Sequence, residues 1–234
     1  MEKTFISVIV PTLNEERYIE SCLKSVKNQD YDGKYEIIVV DGGSKDNTVK
    51  IAKGIADKNL VAERGIGCQQ NAGAKIAKGK ILLFLQADTV LSKNAFEEMH
   101  KFLKAHKDVM FGNIAYTYEK IDGKTKILNK VIQMYWKINK YIPIGCSGGP
   151  TLFVRKRAFQ TVGGFKNIIL EDVEIGLRLK KIGKTGVVYN TNATSSSRRF
   201  KKEGYTKVVI SWLKQSFLIL LHKPESILKY DIVR

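Results

Sequence analysis

The chain has 234 residues, 44% of them hydrophobic, which is enough to bury one large core. Its three cysteines, Cys22, Cys68 and Cys146, are widely spaced with no C-x-x-C pair, arguing against a disulfide framework or a structural zinc site and for a reducing cytosol. A formal charge of +17 implies an anionic partner, and charge alone does not choose among nucleic acid, acidic lipid and a phosphorylated substrate.

The opening "MEKTFISVIVP" holds an apolar run too short for a signal peptide or an anchor, and it reads as the first core strand. Asn14 then stands where it can cap a helix with apolar positions Tyr18, Ile19, Cys22, Leu23 and Val26. "YEIIVVD" is a second buried strand, and "GGSKDNTVKIAKGIA" gives a glycine turn, cap candidates Ser44 and Asp46, and another helix. "KILLFLQ" is a third strand. Alternating strands and helices predict an α/β fold with a parallel sheet, whose ligands bind beyond the carboxyl ends of the strands. That rule sets Thr12, Asp41 and Asp88 along one edge.

From Phe111 the pattern changes. "FGNIAYTY" and "TLFVRK" read as strands, separated by a helix near "TKILNKVIQMYWKINKY" and the glycine-rich "GCSGGP". "ILEDVEIGLRLKKIG" is a helix with Val173, Leu177 and, less well, Ile182 toward a core. A compact domain to about Tyr189 is followed by a serine-rich basic loop and a terminal helix, a division drawn as a domain over 1–200 and a tail over 201–234. Thirteen Lys or Arg against three acidic residues from Gly176 onward make that end basic. In "YTKVVISWLKQSFLILL", Lys207 and Lys214 make the run too polar to cross a bilayer. Val208, Trp212, Leu213, Phe217, Leu220 and Leu221 give it an apolar face for an anionic membrane surface, for the domain itself or for a dimer partner.

The phosphate-loop pattern G-x-x-x-x-G-K-[ST] is absent, and "GIGCQQ" fails the dinucleotide pattern because Gln70 stands where a third glycine is needed. His100, His106 and His222 form no ligand cluster. What remains is carboxylates at strand ends, Asp41 and Asp88, and the pair Glu171 and Asp172 opening a helix. Each has a plain reading: a turn residue for Asp41, a cap of the helix at "SKNAFEEM" for Asp88 (though Ser92 is better placed), and a favourable dipole contact for the pair.

The ordered motifs "SVIVPTLNEE", "VVDGGSKDNT", "RGIGCQQNAGAKIAKGKILLFLQADT" and "EDVEIGLRL" resemble inverting family 2 glycosyltransferases of the GT-A fold over residues 5 to 190. "RGIGCQQNAGA" and the ending "SSSRRFKKEGYTKVVISWLKQ" are similar to a soluble bacterial and archaeal subgroup. The resemblance implies a single Rossmann-like domain with a mostly parallel central sheet flanked by helices, plus a basic amphipathic C-terminal helix. It implies a divalent metal, manganese or magnesium, held by Asp88. The family's usual aspartate-x-aspartate has Gln86 and Ala87 before that residue here. By the same resemblance Asp41 accepts hydrogen bonds from a nucleobase, with Pro11, Thr12, Asn14 and Glu15 lining the pocket and Arg64 and Asn71 beside it. Asp172 is the implied general base and Glu171 its orienting neighbour. Ser147, Gly148 and Gly149 would approach the sugar, and Arg198 and Arg199 would close over the diphosphate.

The function so implied is metal-dependent, inverting transfer of a hexose from a nucleotide-diphosphate sugar to an acceptor hydroxyl, a lipid-linked acceptor at the cytosolic membrane face included. Two alternatives stand beside it: a polyprenyl phosphate acceptor, which needs no base, and a noncatalytic basic protein binding nucleic acid or membrane. No specific nucleic-acid partner is expected under the first reading, and the location is cytoplasmic or peripheral on that membrane face.

Overall fold

The computed structural model describes residues 4–119, 122–139, 149–168 and 170–220. Strand β1 (Ile6–Thr12) leads to α1 (Ile19–Lys27), β2 (Tyr35–Asp41), α2 (Thr48–Lys53), β3 (Lys58–Val61), α3 (Ile66–Ile76) and β4 (Ile81–Leu85). Then come β5 (Thr89–Leu91), α4 (Ala95–Ala105), β6 (Val109–Tyr118), α5 (Gly123–Asn139), β7 (Thr151–Arg155) and α6 (Lys156–Thr161). The described part closes with α7 (Glu171–Lys180), β8 (Lys184–Ser195), α8 (Arg198–Glu203) and α9 (Tyr205–Leu220).

One eight-stranded sheet runs in the order β3-β2-β1-β4-β7-β6-β8-β5. Its first half, β3 through β4, is wholly parallel, and β7 enters antiparallel to β4 and β6. The continuous apolar strands are buried as expected, since helices cover both faces of a parallel sheet. Val8, Ile9, Ile37, Ile38, Leu82 and Leu83 have essentially no exposure. Parallel register brings Thr12 opposite Asp41, so the two chain ends leave the sheet side by side.

Helix α3 lies close enough to the sheet that glycine is required at its centre. A Cβ on Gly73 would sit 2.5 Å from Ile9 Cγ2 and 3.1 Å from Val40 Cγ2. That approach lets Gln69, one turn earlier and fully covered, donate through Nε2 to the carbonyls of Thr12 and Val40, each at 2.8 Å. The amide adds a side-chain bond at the carboxyl edge, where the Thr12 carbonyl also accepts the Gly42 N–H at 2.9 Å.

Several local expectations need correction. Asn14 does not cap α1. It adopts φ 55°, and its Oδ1 accepts the Lys45 N–H at 2.9 Å. Of the two candidates for α2, Asp46 accepts the Thr48 N–H at 3.0 Å, whereas Ser44 Oγ accepts the Asn14 N–H at 2.9 Å. Neither Asp88 nor Ser92 caps α4 with its side chain; Gln29 Oε1 reaches across from the end of α1 to accept the Phe96 N–H at 3.0 Å. In α7 the residues toward the main core are Ile175 and Leu179, while Val173 and Leu177 pack on Ile168 and Leu170, and Ile182 is exposed. The serine-rich stretch is not all loop, because β8 continues through Ser195, which pairs with Thr89.

Of the tail, α9 is described to Leu220; the side chains of Trp212, Leu213, Phe217 and Leu220 and all of Leu221 fall outside the described residues. Among the described residues no helix is long and apolar enough to cross a membrane. Gly73→Val should destabilise the fold by roughly 1–3 kcal/mol, the usual cost of overpacking, measured as a lower midpoint in urea with an unchanged slope.

Candidate active site

The loops after β1 and β2 are fastened to each other by reciprocal hydrogen bonds. Glu15 N–H donates to Thr48 Oγ1 at 2.7 Å, Glu16 N–H to Asp46 Oδ2 at 3.1 Å, and Asn47 N–H back to Glu16 Oε2 at 3.1 Å. Asp41 lies beneath this weave, almost wholly buried. Its Oδ2 accepts the N–H groups of Gly43 and Ser44, each at 2.8 Å, and its Oδ1 accepts the hydroxyls of Thr12 and Ser44. These four bonds fill the acceptor capacity of a carboxylate. Asp41 therefore builds the turn as folded here, and a nucleobase could reach it only where the Ser44 hydroxyl turns away.

Glu15 and Asp88 converge on one cation. Arg198, the first residue of α8, donates from both terminal nitrogens to Glu15, each at 2.7 Å, and its Nη2 lies 3.1 Å from Asp88 Oδ2. The Glu15 side chain is 1% exposed and that of Asp88 10%. The guanidinium also sits 4.7 Å above the Tyr18 ring. Asp88 stands in the turn between β4 and β5, where the neighbouring strand supplies a long Ser195 Oγ donation at 3.5 Å and the Ser196 N–H bonds its carbonyl.

Two carboxylates gathered round one guanidinium define a position suited to positive charge. Their hard oxygen atoms fit magnesium or manganese. Among the described residues no three His, Cys, Asp or Glu side chains gather into a self-sufficient metal cage, so an ion here would take remaining ligands from phosphates and water. Beside this cluster an open cavity of about 270 Å³ is lined by Asn14, Tyr18, Asp46, Arg198, Arg199 and Lys202. Arg199 itself is paired with Glu203 at 3.0 Å.

The Glu171–Asp172 pair opens α7, directly after Leu170 in the left-handed region at φ 56°. Asp172 Oδ2 accepts the Gly149 N–H at 3.0 Å, and its Oδ1 accepts the Val173 N–H at 2.8 Å. Gly149 has no substitute, since at φ 144° a Cβ would fall 2.5 Å from the Tyr116 ring. Burial pushes both carboxyls above the ordinary carboxylate range, Glu171 further because the Asp172 charge opposes its ionisation. The pair as a whole therefore holds a proton more tightly than two exposed carboxylates would, and the crowding falls more heavily on Glu171.

A short backbone link joins the two carboxylate centres. Pro150 O accepts the Gln86 N–H at 3.0 Å while the adjacent Gly149 binds Asp172. Gln86, two residues before Asp88, is thereby tied to the base candidate through Gly149 and Pro150.

Residues 7–163 match the family described as Glycosyl transferase family 2. The chain belongs to that family. It is 31% identical over 187 residues to Glycosyltransferase AglE of Haloferax volcanii, an alignment covering 73% of this chain and 59% of that relative. Two solved structures share the fold. Staphylococcus aureus TarS 1-349 in complex with UDP-GlcNAc superposes with a TM-score of 0.69 at 22% identity, covering 85% of this chain and 59% of that one. Mannosyltransferase PcManGT from Pyrobaculum calidifontis, in complex with GDP-Man and Mn2+, gives 0.72 at 18% identity, covering 95% of this chain and 65% of that one.

Within this glycosyltransferase fold the expected residues sort by position. Thr12, Asn14, Glu15, Asp41, Asp88 and Arg198 gather at the carboxyl edge, and Gly149, Glu171 and Asp172 adjoin them through Gln86. Pro11 is a buried strand residue opposite Val40, Ala87 is buried, and Gln86 is exposed. Arg64 is exposed on the loop before α3. Asn71 uses both ends of its amide on the Phe165 backbone, at 2.8 and 2.9 Å, and so holds the loop before α7. Ser147 and Gly148 lie outside the described residues. Gln69 and Arg178 were not singled out from sequence, and Tyr18 was read there only as an apolar position of the first helix. Arg178 pairs with Glu174 and donates to the carbonyls of Val162 and Gly164, locking α7 to the loop that Asn71 holds from the other side.

Because the folded pair holds protons more tightly than the unfolded chain, stability contributed by protonated Glu171 falls as pH rises through its raised folded pKa. Glu171→Gln removes that loss. Thermal unfolding at pH 5 and pH 9 should show the variant's advantage widening at the alkaline end, and an equal difference at both would contradict the assignment.

Proposed function

We propose that this chain is an inverting hexosyltransferase that uses a nucleotide-diphosphate sugar and an acceptor hydroxyl. In this reading the diphosphate lies over the Glu15, Arg198 and Asp88 cluster, with the nucleoside toward Thr12, Asn14 and Asp41. A manganese or magnesium ion held by Asp88 would offset the charge that grows on the leaving diphosphate. The acceptor hydroxyl attacks the anomeric carbon from the face opposite the diphosphate. Its proton passes to Asp172, the new carbon–oxygen bond forms as the bond to the diphosphate oxygen breaks, and the nucleoside diphosphate departs.

The observation that carries the reading is the pairing of Gly149 with Asp172 and of Pro150 with Gln86. It ties an ionisable carboxylate, through Gly149 and Pro150, to the turn that bears Asp88. Burial raises both carboxyls of the pair, and the Asp172 charge adds to the rise at Glu171, which favours a pair that shares a proton over two anions repelling the donor. Lys202, on the rim of the adjoining cavity beside the Glu203-paired Arg199, adds positive charge where phosphates would enter.

A polyprenyl phosphate acceptor is the second reading, favoured by the lysines and arginines of the C-terminal quarter. The buried Glu171–Asp172 pair favours a hydroxyl, because a phosphate arrives already ionised and needs no base.

Calorimetric titration with UDP and GDP, with and without manganese, should give saturable binding of one nucleotide that depends on metal and is lost in Asp88→Ala. Asp172→Asn should keep that binding and lower turnover with a matched donor and acceptor by about 10²–10⁴-fold. Full turnover in Asp172→Asn would favour the phosphate acceptor. No nucleotide binding under any condition would remove the enzymatic reading.

A further inference from the structure

Helix α5 is amphipathic in an unusual sense. Its inner face is packed: Ile132 is buried, Leu128 rests against the core, and the Asn129 amide bonds both the N–H and the carbonyl of Tyr118 on β6. A surface helix normally turns charged and polar residues outward from such a face. Here Ile127, Val131 and Met134, spaced four and three residues apart, stand 64%, 50% and 56% exposed. They form one stripe of large aliphatic side chains, and exposed apolar patches of this kind mark interaction surfaces.

The charge along the same helix selects the partner. The α5 sequence contains lysines and no acidic residue, and Lys124, Lys126 and Lys130 are exposed around the stripe. Asp122, just before the helix, is turned to Thr125 and Tyr205, and the cavity beside the helix carries one carboxylate, Glu119. That open cavity, about 640 Å³, lies between α5 and the strands β6 and β8, and Lys126 and Lys130 line it. The Tyr205 hydroxyl, 2.6 Å from Thr125 Oγ1, ties the start of α9 to the start of α5. Helix α9 is likewise free of acidic residues and leaves Ile210 64% exposed.

We infer that the outer face of α5 docks this protein onto anionic lipid bilayers, Ile127, Val131 and Met134 entering the interface while Lys124, Lys126 and Lys130 meet the head groups. A protein partner would have to match both an aliphatic stripe and an excess of positive charge on either side of it. An anionic bilayer supplies both at once. The stripe and its lysines include none of the residues of the Asp88 and Asp172 centres, so the docking face is tested independently of the donor site.

The test is co-sedimentation of the full chain with phosphatidylglycerol-containing and pure phosphatidylcholine vesicles, for the parent and for Ile127→Ser/Val131→Ser/Met134→Ser. The parent should bind the anionic vesicles, more weakly as salt rises, and the triple variant at least about tenfold less, with unchanged thermal unfolding and nucleotide binding. Lys126→Glu/Lys130→Glu should weaken binding with the apolar stripe intact. Equal binding to both vesicle types, no binding, or undiminished binding by the triple variant would overturn the inference; the last result would assign any attachment to residues 201–234. A dimer in light scattering that the triple variant dissolves would overturn it too, giving the face to a second copy.

Discussion

The bidentate pairing of Glu15 with Arg198, and the reach of the same guanidinium to Asp88, is the contact on which the site depends. It spans the chain: Glu15 follows the first strand, Asp88 follows the fourth, and Arg198 comes after the last. A carboxylate as covered as Glu15 is stable only with a partner, and removing the partner of a buried ion pair typically costs about 3–5 kcal/mol. The pairing consequently fixes α8 against the carboxyl edge of the sheet. It also gives the edge a balance of two negative charges and one positive, which a cation or a metal–diphosphate complex can join without stranding a charge.

The second centre is held by different means. Asp172 takes its place from α7, and α7 takes its place from a loop gripped on both sides, by Arg178 through the carbonyls of Val162 and Gly164 and by Asn71 through Phe165. Strain concentrates where these elements meet the carboxylates. Asn14 and Leu170 are the non-glycine residues at positive φ among the described residues, and each immediately precedes a buried glutamate of the site, Glu15 or Glu171. Such conformations cost roughly 1–3 kcal/mol and persist where surrounding contacts enforce them. Hydrogen bonds across the two loops do so for Asn14.

The parallel half of the fold was readable because buried strands leave long runs of β-branched and aliphatic residues, as in "FISVIVP" and "YEIIVVD". Strands β3 and β5, of four and three residues, leave no such run, and β8 was obscured by its polar residues at a sheet margin. Capping was misjudged where the true partner lies far along the chain: Asn14 serves the Lys45 N–H, and the Phe96 N–H at the start of α4 is taken by Gln29, bonds that no local rule detects. The carboxylates at strand ends were visible by position, but their partners were not. Nothing in sequence spacing joins Arg198 to Glu15, or Gly149 to Asp172, until the sheet brings them together.

In the proposed mechanism one edge of the sheet carries both the donor diphosphate and the base that activates the acceptor. Diffraction from crystals grown with manganese and an intact, slowly transferred nucleotide sugar would show where each sits. The diphosphate and metal are expected between Asp88 and Arg198, with the anomeric carbon presenting its free face to Asp172. A nucleotide bound elsewhere, or one seated there with its anomeric carbon turned from Asp172, would contradict that mechanism.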